Sequence, residues 1–323
     1  MADVDVEAVS FPNLAGLTLW GTLHRPRKSG ADLPAVVLLS PGVKMRVGPG
    51  RLYVPLTDML VEHGFTVLRF DFYGLGDSQG ELAETMLADV YNHIEVGRFV
   101  DDAVAALAWL RKTHGHRRFI VGGLCGGAIT ALFAAQRDPA VEALLSLGMT
   151  VTLASNAATP GKYMTRAQLD KRLKGYLRKV YRPEAWFRFL TLQSDYSVIW
   201  HSMKRMFQSD KPRPVAAKDA PAGNGAPQAP VEQRGNANPM FPPAYFAFLE
   251  RGGQALMMFS EKDRLHSEYE EKFVEPFAAR IVSFEKQIRK HVIPNSNHVM
   301  TLHEWQREMV DVSRQWLCAR YAI

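Results

Sequence analysis

The chain of 323 residues holds two cysteines, and one of them stands where a nucleophile would be presented. Gly123-Leu124-Cys125-Gly126-Gly127 follows an apolar run of strand length (119–122) and opens a segment of helical spacing (126–136). A G-x-nucleophile-x-G turn between a strand and a helix is a nucleophile elbow. The apex residue sits in a strained conformation, and its neighbours two positions away must lack bulk because strand and helix nearly touch. The helix that follows aims unpaired N–H groups and its positive dipole end at residue 125, which favours a thiolate. Cys318, in a helical pattern near the end, reads as a small buried hydrophobe. Neither cysteine belongs to a C-x-x-C pair, and two in this length make no disulfide framework.

An elbow of this kind is served by an acid and then a base further along the chain. His298, in Asn295-Ser296-Asn297-His298, directly follows the last apolar run (291–294) and precedes the closing helical segment. It is the expected base, with His266 and His303 as rivals. The acid is expected just past the preceding run, 255–259, where Ser260-Glu261-Lys262-Asp263-Arg264 stands; Asp263 is preferred and Glu261 is its rival. Two backbone N–H groups would hold the developing oxyanion, one from Gly126 and one from the loop after 35–40, where Val43 is preferred over Gly42. Each such donor contributes about 3–4 kcal/mol when removed singly.

The elements that must position these groups follow a regular rhythm. Strands are expected at 4–10, 17–24, 35–40, 66–71, 119–122 and 141–147, and helices at 51–63, 90–113 and 126–136. The rhythm stops near residue 150. It resumes with a strand at 255–259, a helix over 268–280, a strand at 291–294 and a helix over 302–321. Such alternation implies a mostly parallel sheet with helices on both faces. The chain therefore divides into an α/β core (1–151 and 251–323) and an inserted helical cap (152–250). Within the insertion, 210–241 is rich in Pro, Ala and Gly and reads as a flexible loop.

Composition narrows the function classes. Hydrophobic residues make up 47% and charged residues 22%, ordinary for a globular chain. No apolar run approaches the ~20 residues of a membrane span, and the acidic start lacks a secretory signal pattern, so a cytoplasmic protein is expected. Net charge is +6. Residues 162–188 carry nine Lys/Arg against Asp170 and Glu184, a local excess that attracts anions. No nucleic-acid motif accompanies it. No metal-ligand spacing, dinucleotide fingerprint or phosphate loop is present, and no cofactor is expected.

With these pieces in place, the chain resembles the α/β-hydrolase superfamily over nearly its whole length. Phe70-Asp71-Phe72-Tyr73-Gly74-Leu75-Gly76-Asp77-Ser78 looks like that family's D-x-x-G-x-G-x-S turn. Together with Arg46-Val47-Gly48-Pro49-x-Arg51 and the Gly-Leu-Cys elbow, it is similar to the hydrolases associated with exosortase systems. The resemblance implies an α/β-hydrolase fold, with Cys where Ser is usual. Dienelactone hydrolases also carry a Cys elbow but lack a long insertion, and the match to polyhydroxyalkanoate synthases ends at the elbow.

The expected chemistry is acyl transfer through a thioester on Cys125. The first expectation is hydrolysis of an ester or thioester. Transfer of the acyl group to an amine or alcohol is the alternative, and a non-catalytic binding protein on the same scaffold is the third. Tyr163, Trp186 and Tyr196 of the insertion would wall the acyl pocket. The Lys/Arg cluster, with Arg46 and Arg51 near the oxyanion loop, would meet an anion such as coenzyme A or an acidic carrier protein.

Overall fold

The computed structural model describes residues 4–26, 33–153 and 236–323. Tyr163, Trp186, Tyr196 and most of the expected cap, including 210–235 of its loop, lie outside the described residues. Among the described residues, eight strands form one sheet in the order β1-β2-β4-β3-β5-β6-β7-β8. β1 (Val4–Pro12) and β2 (Thr18–Pro26) form an antiparallel hairpin, and β2 runs antiparallel to β4 (Val67–Phe70). From there β3 (Ala35–Leu39), β5 (Phe119–Leu124), β6 (Val141–Leu147), β7 (Gln254–Ser260) and β8 (Ile288–Ile293) continue in parallel. This is the α/β-hydrolase fold, with helices against both faces.

The two faces come from strand alternation. In β3, Val37 and Leu39 join one core, while Val36 and Leu38 join the other. The second core is covered by α1 (Tyr53–Glu62), through Leu56, Met59 and Leu60, and by the C-terminal helix His303–Tyr321, through Met309, Val312, Trp316 and Leu317. The first is covered by α2 (Leu87–Glu95), α3 (Val100–His114) and α4 (Gly126–Arg137). A strand buried on both faces must be apolar throughout, and β3 is buried at every position.

Four elements differ from the sequence reading. The single helix expected over 90–113 is two, α2 and α3, with the chain leaving helix at Gly97 (φ 105°). Both helices face the same core, so the apolar spacing runs across a break that only a left-handed glycine marks. Phe241–Glu250, placed in the expected insertion, forms α5, which buries Phe241, Tyr245, Phe246 and Phe248 in the core with α4. The helix expected over 268–280 is α6 (Arg264–Tyr269), a wide turn at Glu270–Val274, and α7 (Glu275–Val282); the C-terminal helix is then α8. β8 is an edge strand whose Arg289, Lys290 and His291 obscure its early start.

Candidate active site

Cys125 lies between the end of β5 and the start of α4, at φ 55° and ψ −114°. A side chain with positive φ is strained and persists only where the surroundings over-determine it. Here the Cys125 N–H donates to the Leu147 carbonyl at 2.9 Å, and the Cys125 carbonyl accepts from the N–H groups of Ala128 (2.9 Å) and Ile129 (3.2 Å). The flanking glycines are required by space. A Cβ on Gly123 would stand 2.8 Å from the Gly127 carbonyl carbon and 2.9 Å from the Leu39 oxygen. One on Gly127 would meet the oxygens of Leu39 at 2.6 Å and Ser40 at 3.0 Å.

A third brace was not visible in the motif. The fully buried Tyr53 hydroxyl donates to the Leu39 carbonyl at 2.9 Å and accepts from the Leu124 N–H at 2.7 Å. It ties the end of β3 to the residue before Cys125. Burial raises the Tyr53 pKa, so the hydroxyl keeps its proton.

Asp263 caps α6 just past the end of β7, and its two oxygens divide their work. Oδ1 accepts from the Leu265 N–H at 3.3 Å, while Oδ2 lies 2.6 Å from Nδ1 of His298. Glu261 instead accepts from the Asn295 N–H at 2.6 Å and so serves the turn that carries the histidine. His298 sits between β8 and α8 and lines the same cavity as Cys125. Burial alone would lower its pKa; the hydrogen bond to Asp263, with Asp263 and Cys125 close by, pushes it up to about 10. His266 stays on α6 beside Glu270, lowered by burial, and His303 begins α8.

Cys125, His298 and Asp263 line one cavity of about 380 Å³ together with Ala88, Tyr91, Glu95, Arg264 and Leu265. Glu95, Tyr91 and Arg264 were not singled out in the sequence. The first two depend on where α2 ends, which the missed break at Gly97 controls. Arg264 was legible as the residue after Asp263, with Glu268 four positions on.

At the other side of the elbow, the start of α4 meets the loop after β3. A Cβ on Gly126 would lie 3.0 Å from Gly42 Cα and 3.1 Å from Gly42 N. That loop closes through the Lys44 N–H to the Pro41 carbonyl at 3.1 Å, with Val43 at its tip. Gly126 and the 42–43 segment are thus brought together beside Cys125. Arg46 turns to other work. Its guanidinium pairs with Asp71, and with Asp77 at 2.8 Å, while its N–H donates to Asp71 Oδ1 at 2.6 Å. This joins the oxyanion-side loop to the D-x-x-G-x-G-x-S turn, where Ser78 Oγ donates to the Asp71 carbonyl at 2.6 Å. Arg51 is exposed at φ 59°, and neither arginine lines the cavity.

Among the described residues, no group of His, Cys, Asp and Glu is arranged to hold a metal, and no helix is long and apolar enough to cross a membrane.

A sequence model of the alpha/beta hydrolase family matches residues 36–312. The Pyrococcus furiosus esterase Pf2001 aligns in structure with a TM-score of 0.56 at 15% identity, over 99% of this chain and 92% of that one. The esterase domain of a Rhodothermus marinus protein gives 0.52 at 15% identity, over 98% and 99%. Likeness at that identity carries the fold alone. A polyketide transferase from a Penicillium species, grgF, is 29% identical over 151 residues, 46% of this chain and 46% of that protein. The chain therefore spans about half the length of this curated relative.

Proposed function

The chain belongs to the alpha/beta hydrolase family, and from that premise we propose that it moves acyl groups through a thioester on Cys125, with His298 and Asp263 completing the triad. The observation that carries this reading is the strained Cys125 sharing one cavity with an imidazole whose Nδ1 lies 2.6 Å from Asp263.

The protonation state favours sulfur chemistry. An imidazole pushed up to about 10 holds its proton at neutral pH. A serine would need that imidazole neutral, as a base. A thiol surrenders its proton more readily than an alcohol does, and the thiolate is the attacking species. The thiolate attacks the carbonyl carbon of an ester or thioester, and the electron pair moves to oxygen, held by the N–H groups of Gly126 and Val43. Collapse expels the alkoxide or thiolate, which takes the imidazolium proton. Neutral His298 then removes a proton from water, and the hydroxide releases the acid and restores the thiolate.

A second reading replaces water with an amine or alcohol. It is supported by the relative named a polyketide transferase and by the readiness of thioesters to react with amines. The nine Lys/Arg of 162–188 suit a substrate carried by coenzyme A or an acidic carrier protein, on charge alone. The narrower kinship with exosortase-associated hydrolases rests on Arg46-Val47-Gly48-Pro49-x-Arg51 and the elbow.

The test is turnover of p-nitrophenyl acyl esters with intact mass spectrometry. A mass gain at Cys125 that is absent in Cys125→Ala supports the thioester. Rapid release in water supports hydrolysis, and release that requires added amine supports transfer. Turnover that persists undiminished in Cys125→Ala refutes both.

A further inference from the structure

We propose that Arg264 selects acyl substrates bearing a carboxylate close to the reacting carbonyl. This names a substrate class for the Cys125 site and rests on the reading above. Arg264 directly follows Asp263, so the cap that fixes the acid also fixes the start of its side chain. Its Nη1 donates to Glu268 Oε1 at 2.9 Å, and Glu268 Oε2 in turn accepts from Thr152 Oγ1 at 3.0 Å. Glu268 is 4% exposed whereas the Arg264 side chain is 55% exposed. A buried anchor therefore holds a guanidinium whose remainder is open.

An arginine that only stapled its short helix could sit on any outward face. This one lines the cavity that holds Cys125 and His298. Burial would lower its pKa, but Glu268, Cys125 and Glu95 together raise it, so the guanidinium keeps its charge. A guanidinium has five N–H donors in a planar fork that matches a carboxylate. Among the described residues Glu268 is the side chain that accepts from it, which leaves donors for a ligand. The other cavity carboxylates set the field it works in. Asp263 is engaged by His298, and Glu95, held by contacts of its own, shares the wall.

The experiment compares iodoacetate with iodoacetamide, which differ in one charge next to the reacting carbon. In both, the thiolate forms an S–C bond and iodide leaves. Rates at Cys125 are followed by peptide mass, with Cys318 as the reference thiol in the same protein. The iodoacetate-to-iodoacetamide ratio at Cys125 should exceed that at Cys318 by about threefold to tenfold at low salt. It should fall to the Cys318 value in Arg264→Gln and persist in part in Arg264→Lys. In unaltered protein, about 1 M NaCl should reduce it, since an open charge is screened. A ratio equal to that of Cys318, unchanged by salt or by Arg264→Gln, overturns the proposal. It leaves the thioester reading untouched, because that is tested with neutral acyl esters.

Discussion

Asp263→Asn separates a thiolate–imidazolium pair from a conventional serine-like triad. The substitution keeps the shape of the 2.6 Å contact to His298 and removes its charge. The shift of the imidazole from 6.5 to about 10 would convert to about 5 kcal/mol at 1.36 kcal/mol per unit. His298 is 38% exposed, so screening cuts this to the range of a charge-assisted hydrogen bond, about 2 kcal/mol. With about 2.1 cal/mol/K per residue over 323 residues, Tm should fall by about 3 °C. The sign with pH is fixed. The folded pKa lies above the unfolded one, so the stabilisation is complete below about 6.5 and disappears as pH rises through about 10. The Tm gap between the two proteins should therefore be widest near pH 6 and close by pH 10.5. In a serine triad the same change costs about 10⁴ in kcat, because the base loses its tautomer. Where sulfur has already lost its proton, we expect a loss of about 10–100-fold, since only the imidazolium's proton donation is weakened. Calorimetry at three pH values and turnover of one acyl ester read both quantities. A Tm gap as wide at pH 10.5 as at pH 6, or a kcat loss near the serine value, would refute the ion-pair reasoning.

Cys125→Ser should lower kcat by at least about 10²-fold, because a hydroxyl is a far weaker acid than the thiol it replaces and must be deprotonated during attack; turnover of the same acyl ester checks it. Gly127→Ala should cost about 1–3 kcal/mol by denaturant titration, since the new methyl meets two backbone oxygens that cannot rotate away. Tyr53→Phe leaves the buried Leu124 N–H without its acceptor and should cost about 1–3 kcal/mol, with kcat falling more than KM rises as the elbow drifts from the β3 loop. Arg46→Gln strips the cation from the fully buried Asp71 and should cost about 3 kcal/mol, seen as a lower denaturation midpoint.

The fold and the three site side chains were legible because each depends on local pattern. A strand, a glycine-flanked turn and a helix are read within the fourteen residues 123–136 and their preceding strand, and His298 and Asp263 follow strands that announce themselves. What was hidden depends on contacts between distant segments. Tyr53 reads as one more apolar position on α1, and nothing in its spacing says that its hydroxyl reaches Leu39 and Leu124. Arg46 looked available for a substrate anion until the turn at 71–78 supplied two carboxylates for it. The split of α2 from α3 escaped because both parts bury the same face. Only Gly97 carried the signal, and with it the placement of Glu95 and Tyr91 in the cavity.

The elbow's geometry and its chemistry have separate causes. Backbone groups hold the apex: the Leu147 carbonyl, the first N–H groups of α4, the Tyr53 hydroxyl bridge, and glycines that let strand and helix close. None of these senses whether the side chain carries oxygen or sulfur, so the scaffold alone cannot favour one nucleophile. Proton timing does. A carboxylate that is 9% exposed and lies 2.6 Å from His298 orients the imidazole and stabilises its protonated form, which an alcohol nucleophile requires as well. The difference is when the proton moves: an alcohol gives it up only during attack, whereas a thiol can part with it before substrate arrives. The same Asp263 is therefore indispensable to a serine at position 125 and a modest aid to the cysteine, so Asp263→Asn should cost the Cys125→Ser protein more than the unaltered one.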